Sequence, residues 1–192
     1  MAMDSLALTD WTSGDVSAYV VRNTIPSKTT LDQFERQVEK GSVRHVGMAQ
    51  SIAMIADVLG WRLDRVTDEV RPKVATASVA SEFLTVENGQ VAGIVQDALG
   101  YVRGEPLIAL HLEAYLGAPE PRDSVEIQGS PKLSMNLVGG IPGDITTASI
   151  VVNSIPRVLA AAPGLHTMRD LSLPAYWPRT ATVRKVRFGR TS

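Results

Sequence analysis

After Gly60 the sequence runs for roughly seventy residues with apolar and polar residues alternating and no helical stripe. A stretch this long and this even predicts a succession of strands, and it limits the folds open to the chain. Glu82 to Glu87 and Val91 to Gln96 flank Asn88-Gly89, a strong hairpin signal. Ile108, Leu110 and Leu112 alternate with Ala109, His111 and Glu113, after a turn at Arg103-Gly104-Glu105. Val125 and Ile127 alternate again, followed by Leu133, Met135 and Leu137. The pattern predicts a meander of antiparallel strands with one apolar face.

Helical patterns lie before and after this block. Thr30 to Gly41 reads as a helix, with Thr30 and Gln33 spaced as a capping box and Gly41 as the stop. In the next helix Met48, Ile52, Ile55 and Leu59 form one stripe that ends at Gly60. A third helix begins near Asp144 or Thr146, either of which can cap it, and runs to about Ala162. Pro156 inside it predicts a kink near Val152–Asn153. Residues 15–22 read as a further strand, and Asn23 to Thr29 as a loop. Helices and strands are segregated, so the expected class is α+β: a mostly antiparallel or mixed sheet with two or three helices on one face. The expected organisation is a single α+β domain over residues 1–174, then a basic extension over 175–192.

Composition narrows the chemistry. The 192 residues include no cysteine, which removes disulfides, thiolate catalysis and cysteine-based zinc sites. His45, His111 and His166 never fall at metal-ligand spacing, so no metal is expected. There is no G-x-G-x-x-G, no P-loop and no G-x-S-x-G elbow. The glycine-rich Gly139-Gly-Ile-Pro-Gly-Asp144 precedes a helix, but the acid stands where an anion would bind; a tight turn with a cap is the expected reading. The net charge of −1 divides into +5 on residues 175–192 and −6 on the rest. A solvated extension is preferred there over a nucleic-acid contact or an added edge strand. No apolar run approaches a membrane span, and Met1-Ala-Met-Asp-Ser does not open like a signal peptide, so a cytoplasmic protein is expected.

The block GGIPGDITTASIVVNSIPRV at 139–158, followed by PGLHTM at 163–168, resembles the C-terminal end of the 2,4-diaminopentanoate dehydrogenase and native amine dehydrogenase group, relatives of dihydrodipicolinate reductase. RHVG at 44–47, QSIAMIADVLGW at 50–61, GAP at 117–119 and AMDSL at 2–6 resemble it too. The likeness extends to about Pro174. It implies a C-terminal α+β domain that binds an amine or imine, makes oligomer contacts and closes over a separate Rossmann domain holding NAD(P)H. This chain resembles only that second part. The resemblance therefore implies no cofactor within this chain, with NAD(P)H reached only through a partner domain or a separate Rossmann-domain subunit. The group carries Glu where Gln50 stands, so no acidic role carries over to that position.

The candidate catalytic groups are His45, Asp144 and His166. The candidate substrate contacts are Arg44, Gln50, Met54, Thr146, Thr147 and Asn153. Each has a plainer structural reading. Asp144 and the threonines can be caps, Asn153 a bridge at the proline kink, His45 a structural residue, His166 a surface-loop position and Met54 a wall or core residue. Three functions stay open: the substrate-binding half of an amine or imine oxidoreductase, a stand-alone non-redox isomerase, cyclase or hydratase, and a non-catalytic ligand-binding or assembly module. The chain is read as enzyme-derived, acting on a small molecule. A homodimer or higher oligomer is expected through the Ile108/Leu110/Leu112 or Val125/Ile127 sheet face, since the helices can cover one face only.

Overall fold

A computed structural model describes residues 2–12 and 29–173; along 2–12, and at Asp144, it describes the backbone alone. The strand expected over 15–22, most of the loop before Thr30 and the basic stretch 175–192 lie outside the described residues. The chain divides into two compact units, Met1–Thr146 and Thr147–Ser192.

In the first unit, β1 (Ala2–Thr12) precedes α1 (Leu31–Glu39) and α2 (Met48–Val58). Seven strands follow: β2 (Arg65–Val74), β3 (Val79–Ala80), β4 (Thr85–Val86), β5 (Val91–Val102), β6 (Glu105–Tyr115), β7 (Arg122–Ser130) and β8 (Leu133–Val138). The third helix, α3 (Gly143–Ala160), crosses the boundary between the units. The class is α+β. Six strands form one mixed sheet in the order β2-β5-β6-β1-β7-β8, and β3 and β4 form a separate two-stranded ribbon.

Local chemistry explains the first elements. Thr30 accepts a hydrogen bond from the Gln33 amide at 3.3 Å, and the Gln33 side chain accepts one from Thr30 N–H at 3.0 Å. This is the reciprocal capping box expected at the start of α1. Gly47, at φ 110, begins α2, and Gly60, at φ 69, ends it. The α2 stripe of Met48, Ile52 and Ala56 is buried, with Ile55 packed against the same cluster. Phe34 of α1 joins it, so both helices cover the sheet face that carries Ile94, Ala98, Ile108 and Leu112. Gly100 makes room for the helix: a β-carbon there would meet Ile52 Cγ2 at 2.5 Å. The β5–β6 hairpin closes on Arg103 and Gly104, both at positive φ, as a two-residue type I′ turn demands.

Three expectations are corrected. Asn88-Gly89 is a turn but does not join a two-stranded hairpin. β4 pairs with β3, while β5 takes the longer partners β2 and β6 on either side. The strands are not a simple meander either, because β1 inserts between β6 and β7, parallel to the first and antiparallel to the second. Finally, Ile108, Leu110 and Leu112 are not an open association face; they are buried in the chain's own core with α2.

The other face of β2, β5 and β6 is charged. His111 lies 2.6 Å from Asp97 through Nδ1 and 3.4 Å from Glu113 through Nε2. Arg71 pairs with the same Asp97, and Lys73 donates to Glu113 at 2.9 Å while standing 4.4 Å from the Tyr115 ring centre. Burial opposes ionisation of Asp97, but hydrogen bonds from His111 and Arg71 outweigh it and hold its pKa below the ordinary value. Burial likewise opposes ionisation of Glu113, and Lys73 and His111 outweigh it there. The Glu113 hydrogen bond in turn holds the Lys73 pKa above its usual range.

In the second unit, Pro156 stands inside α3 and offers no N–H to the Val152 carbonyl one turn back. Ser154 donates to the Ile150 carbonyl at 2.6 Å. Among the described residues, no helix is long and apolar enough to cross a membrane, and no three His, Asp or Glu side chains are grouped to hold a metal.

Candidate active site

The first unit holds a cavity of about 370 Å³ between the N-terminal end of α2 and the β6, β7 and β8 part of the sheet. Its apolar wall includes Met48, Leu110, Leu112, Val125, Met135 and Leu137. Its polar lining residues are His45, Ser51, His111, Asp123 and Ser124. A mostly apolar cavity with a few placed polar groups suits a small molecule that has a hydrocarbon body and one or two polar ends.

His45 sits in the loop that feeds α2, between buried Val43 and buried Met48. Its backbone is held by one side chain, Gln96 of β5, which is 0% exposed. The His45 N–H donates to Gln96 Oε1 at 2.7 Å, and Gln96 Nε2 donates to the His45 carbonyl at 3.0 Å. Gln96 Nε2 also donates to Asp68 Oδ1 at 2.7 Å, and Asp68 is paired with Arg44 at 3.4 Å. Loss of hydration holds the His45 pKa below its ordinary value, against the opposing pull of the Asp68 carboxylate. Asp123 is shifted the other way. Burial pushes its carboxyl up, although its Oδ2 accepts the Ile141 N–H at 2.6 Å. One cavity thus holds an imidazole biased toward its neutral form and a carboxyl biased toward its protonated form. Each shift favours the uncharged form of its group.

Of the residues singled out from sequence, His45 lines this cavity. Arg44 is turned to Asp68 instead. Gln50 and Met54 occupy exposed positions on α2 and are not among the cavity's lining residues. Thr146 does not cap α3; it lies within the helix, and its hydroxyl donates back to the Pro142 carbonyl at 2.9 Å. The Asp144 side chain lies outside the described residues. Thr147, Asn153 and His166 belong to the second unit, where His166 Nε2 is 2.7 Å from the Ala162 carbonyl.

Sequence reasoning missed Asp123, Gln96 and Asp68. The signal for two of them was parity. Asp123 shares the face of Val125 and Ile127, and Gln96 shares the face of Ile94 and Ala98. A carboxylate or an amide at an apolar position of a strand must either find a partner or have a use.

Comparison with known proteins agrees with this architecture. Residues 15–186 match the family described as the 2,4-diaminopentanoate dehydrogenase C-terminal domain. The chain is 36% identical over 151 residues to a 2,4-diaminopentanoate dehydrogenase from Acetoanaerobium sticklandii, covering 76% of this chain and 43% of that protein. A solved amine dehydrogenase from Mycobacterium smegmatis shares the fold, with a TM-score of 0.73 at 20% identity, over 93% of this chain and 54% of that one. The chain therefore spans about half the length of the relatives it matches. With the family matched over nearly the whole sequence and the fold shared, this chain belongs to the 2,4-diaminopentanoate dehydrogenase C-terminal domain family.

Proposed function

We propose that this domain is the substrate side of an NAD(P)H-dependent amine or imine oxidoreductase, and that the cavity beside His45 receives the substrate. The observation that supports it is the pairing of His45 and Asp123 in one apolar-walled cavity of a dehydrogenase-family domain. A dinucleotide does not suit this cavity. The sequence has no G-x-G-x-x-G, and no Lys or Arg is among the lining residues to meet a pyrophosphate. On this reading the nicotinamide cofactor is held by another domain or subunit. This chain's own share is to exclude water with its apolar wall, to orient a small amine or imine, and to carry a proton on His45 or Asp123.

The reading extends to a homodimer or higher oligomer and to a cytoplasmic location. Since Ile108, Leu110 and Leu112 are already covered, self-association would use another surface.

Two titrations of the 192-residue chain test the proposal. Calorimetry with NADH and NADPH should show no binding at micromolar concentrations. Butylamine should perturb the methyl NMR signals of Met48 and Met135. Tight dinucleotide binding, or an amine that leaves both methyls unmoved at millimolar concentrations, would overturn it.

A second reading is favoured by one observation. His45 and Asp123 both line this chain's own cavity, so a non-redox catalyst using them would need no other domain to supply an acid or base. Isomerisation or hydration of a small molecule by the chain alone would distinguish it.

A further inference from the structure

We infer that Gln96 is a positioning residue for His45, with Asp68 setting the direction of the Gln96 amide. The inference rests on the proposal above for what His45 does, but not for where His45 is held.

Gln96 lies at a fully buried point of β5, on the same face as Ile94 and Ala98. An apolar side chain would fill that point without desolvating an amide. What the amide adds is a pair of hydrogen bonds to both backbone groups of one residue, the His45 N–H and the His45 carbonyl. The side chain acts there like a short neighbouring strand. Either end of an amide can face either way, and Asp68 removes that ambiguity. Its carboxylate only accepts, so the Gln96 nitrogen must face it. The oxygen is then left to take the His45 N–H at 2.7 Å. Arg44 holds Asp68 from outside at 3.4 Å. Gly47 at φ 110 is a bend, and α2 starts with no side-chain cap. His45 is therefore set at the cavity through the chain Arg44–Asp68–Gln96.

Two substitutions in the 192-residue chain separate this role from general stability. Gln96→Met keeps the volume and removes the hydrogen bonds. The His45 amide should then exchange with solvent about tenfold faster, the fold-change of one net hydrogen bond, while the amides of α2 around Ile52 stay protected. With the loop loosened, the His45 imidazole titration followed by NMR should move up toward its ordinary value. Asp68→Asn puts a group that can also donate where only an acceptor stood, so the Gln96 amide can turn either way. His45 exchange should then rise, by less than in Gln96→Met, while its titration moves down with the loss of the carboxylate charge. Faster exchange in both variants with opposite titration movements is the expected signature, and a merely structural role would not produce it. An unchanged His45 exchange rate and titration in Gln96→Met overturns the inference. If Gln96→Met does not fold, Asp68→Asn decides alone: an unchanged His45 exchange rate overturns it. Neither readout uses a ligand. A chain that passes both tests yet ignores butylamine would keep the clamp and lose the proposed substrate.

Discussion

At Gly93 a β-carbon would lie 2.1 Å from the Ala114 carbonyl oxygen and 2.4 Å from Tyr115 Cα. Those are backbone atoms of the neighbouring strand, and they can move only if β5 and β6 separate. Gly93→Ala is expected to cost about 3 kcal/mol or more, measured by denaturant unfolding. Gly100→Ala meets the end of a side chain instead, Ile52 Cγ2 at 2.5 Å, and should cost roughly 1–3 kcal/mol in the same assay. A different kind of residue effect is expected at Asp123. Its raised pKa means that the fold disfavours the ionised carboxyl, while one oxygen is still needed by the Ile141 N–H. Asp123→Asn keeps that acceptor and removes the charge. It should leave the melting temperature at pH 7 unchanged or higher, which calorimetric melting measures.

At the scale of elements, whatever is decided within a few residues could be read from the sequence. The capping box of Thr30 and Gln33, the stripe Met48–Ile52–Ile55 and the alternation from Ile108 to Leu112 need only local geometry. Thr30→Ala should accordingly cost about 1 kcal/mol, and Ile52→Ala about 2–5 kcal/mol because it opens a hole under the sheet; chemical unfolding measures both. Whatever depends on partners far along the chain could not be read. The Asn88-Gly89 turn is where it should be, yet which strand β5 joins is settled by β2 and β6, not by the turn. β1 carries no β-branched run apart from single threonines, and its place is given by pairing with β6 and β7. The site follows the same rule. His45 stood out as a lone titratable residue beside a helix, whereas the partners that complete the picture, Asp123 and Gln96, become meaningful only when the strands align. The resemblance to the dehydrogenase group named the domain, but Thr146, which it also brought forward, is not among the residues that line this cavity.

The whole molecule sums its charged groups into a pH profile. Asp97 and Glu113 have lowered pKa values, so their contribution to stability is present above the ordinary carboxylate range and is lost as pH falls through the lowered values. Lys73 has a raised pKa, so its contribution is present below the ordinary lysine value and is lost as pH rises through the raised one. His45 has a lowered pKa, so the fold loses stability as pH drops below about 6.5 and the free histidine would charge. Asp123 opposes these, gaining on acidification. Stability should be greatest between roughly pH 7 and 10, with a decline that starts near 6 and steepens below 4. Melting temperature against pH checks this, and a rise from pH 7 to 5 would contradict it. The placement of β1 reaches further. Leu6 is matched on one side with Ile108 and on the other with Ile127, so the first strand of the chain bridges segments made about a hundred residues later. During synthesis it must wait, unpaired, until both neighbours have emerged. Assembly of the sheet is thus expected to depart from the order of translation at this strand: β2, β5 and β6 can pair with one another, as can β7 and β8, and β1 joins them between β6 and β7. A chain starting at residue 13 should leave a slot in the middle of the sheet, and a peptide of residues 1–12 added in trans should restore the cooperative melting transition.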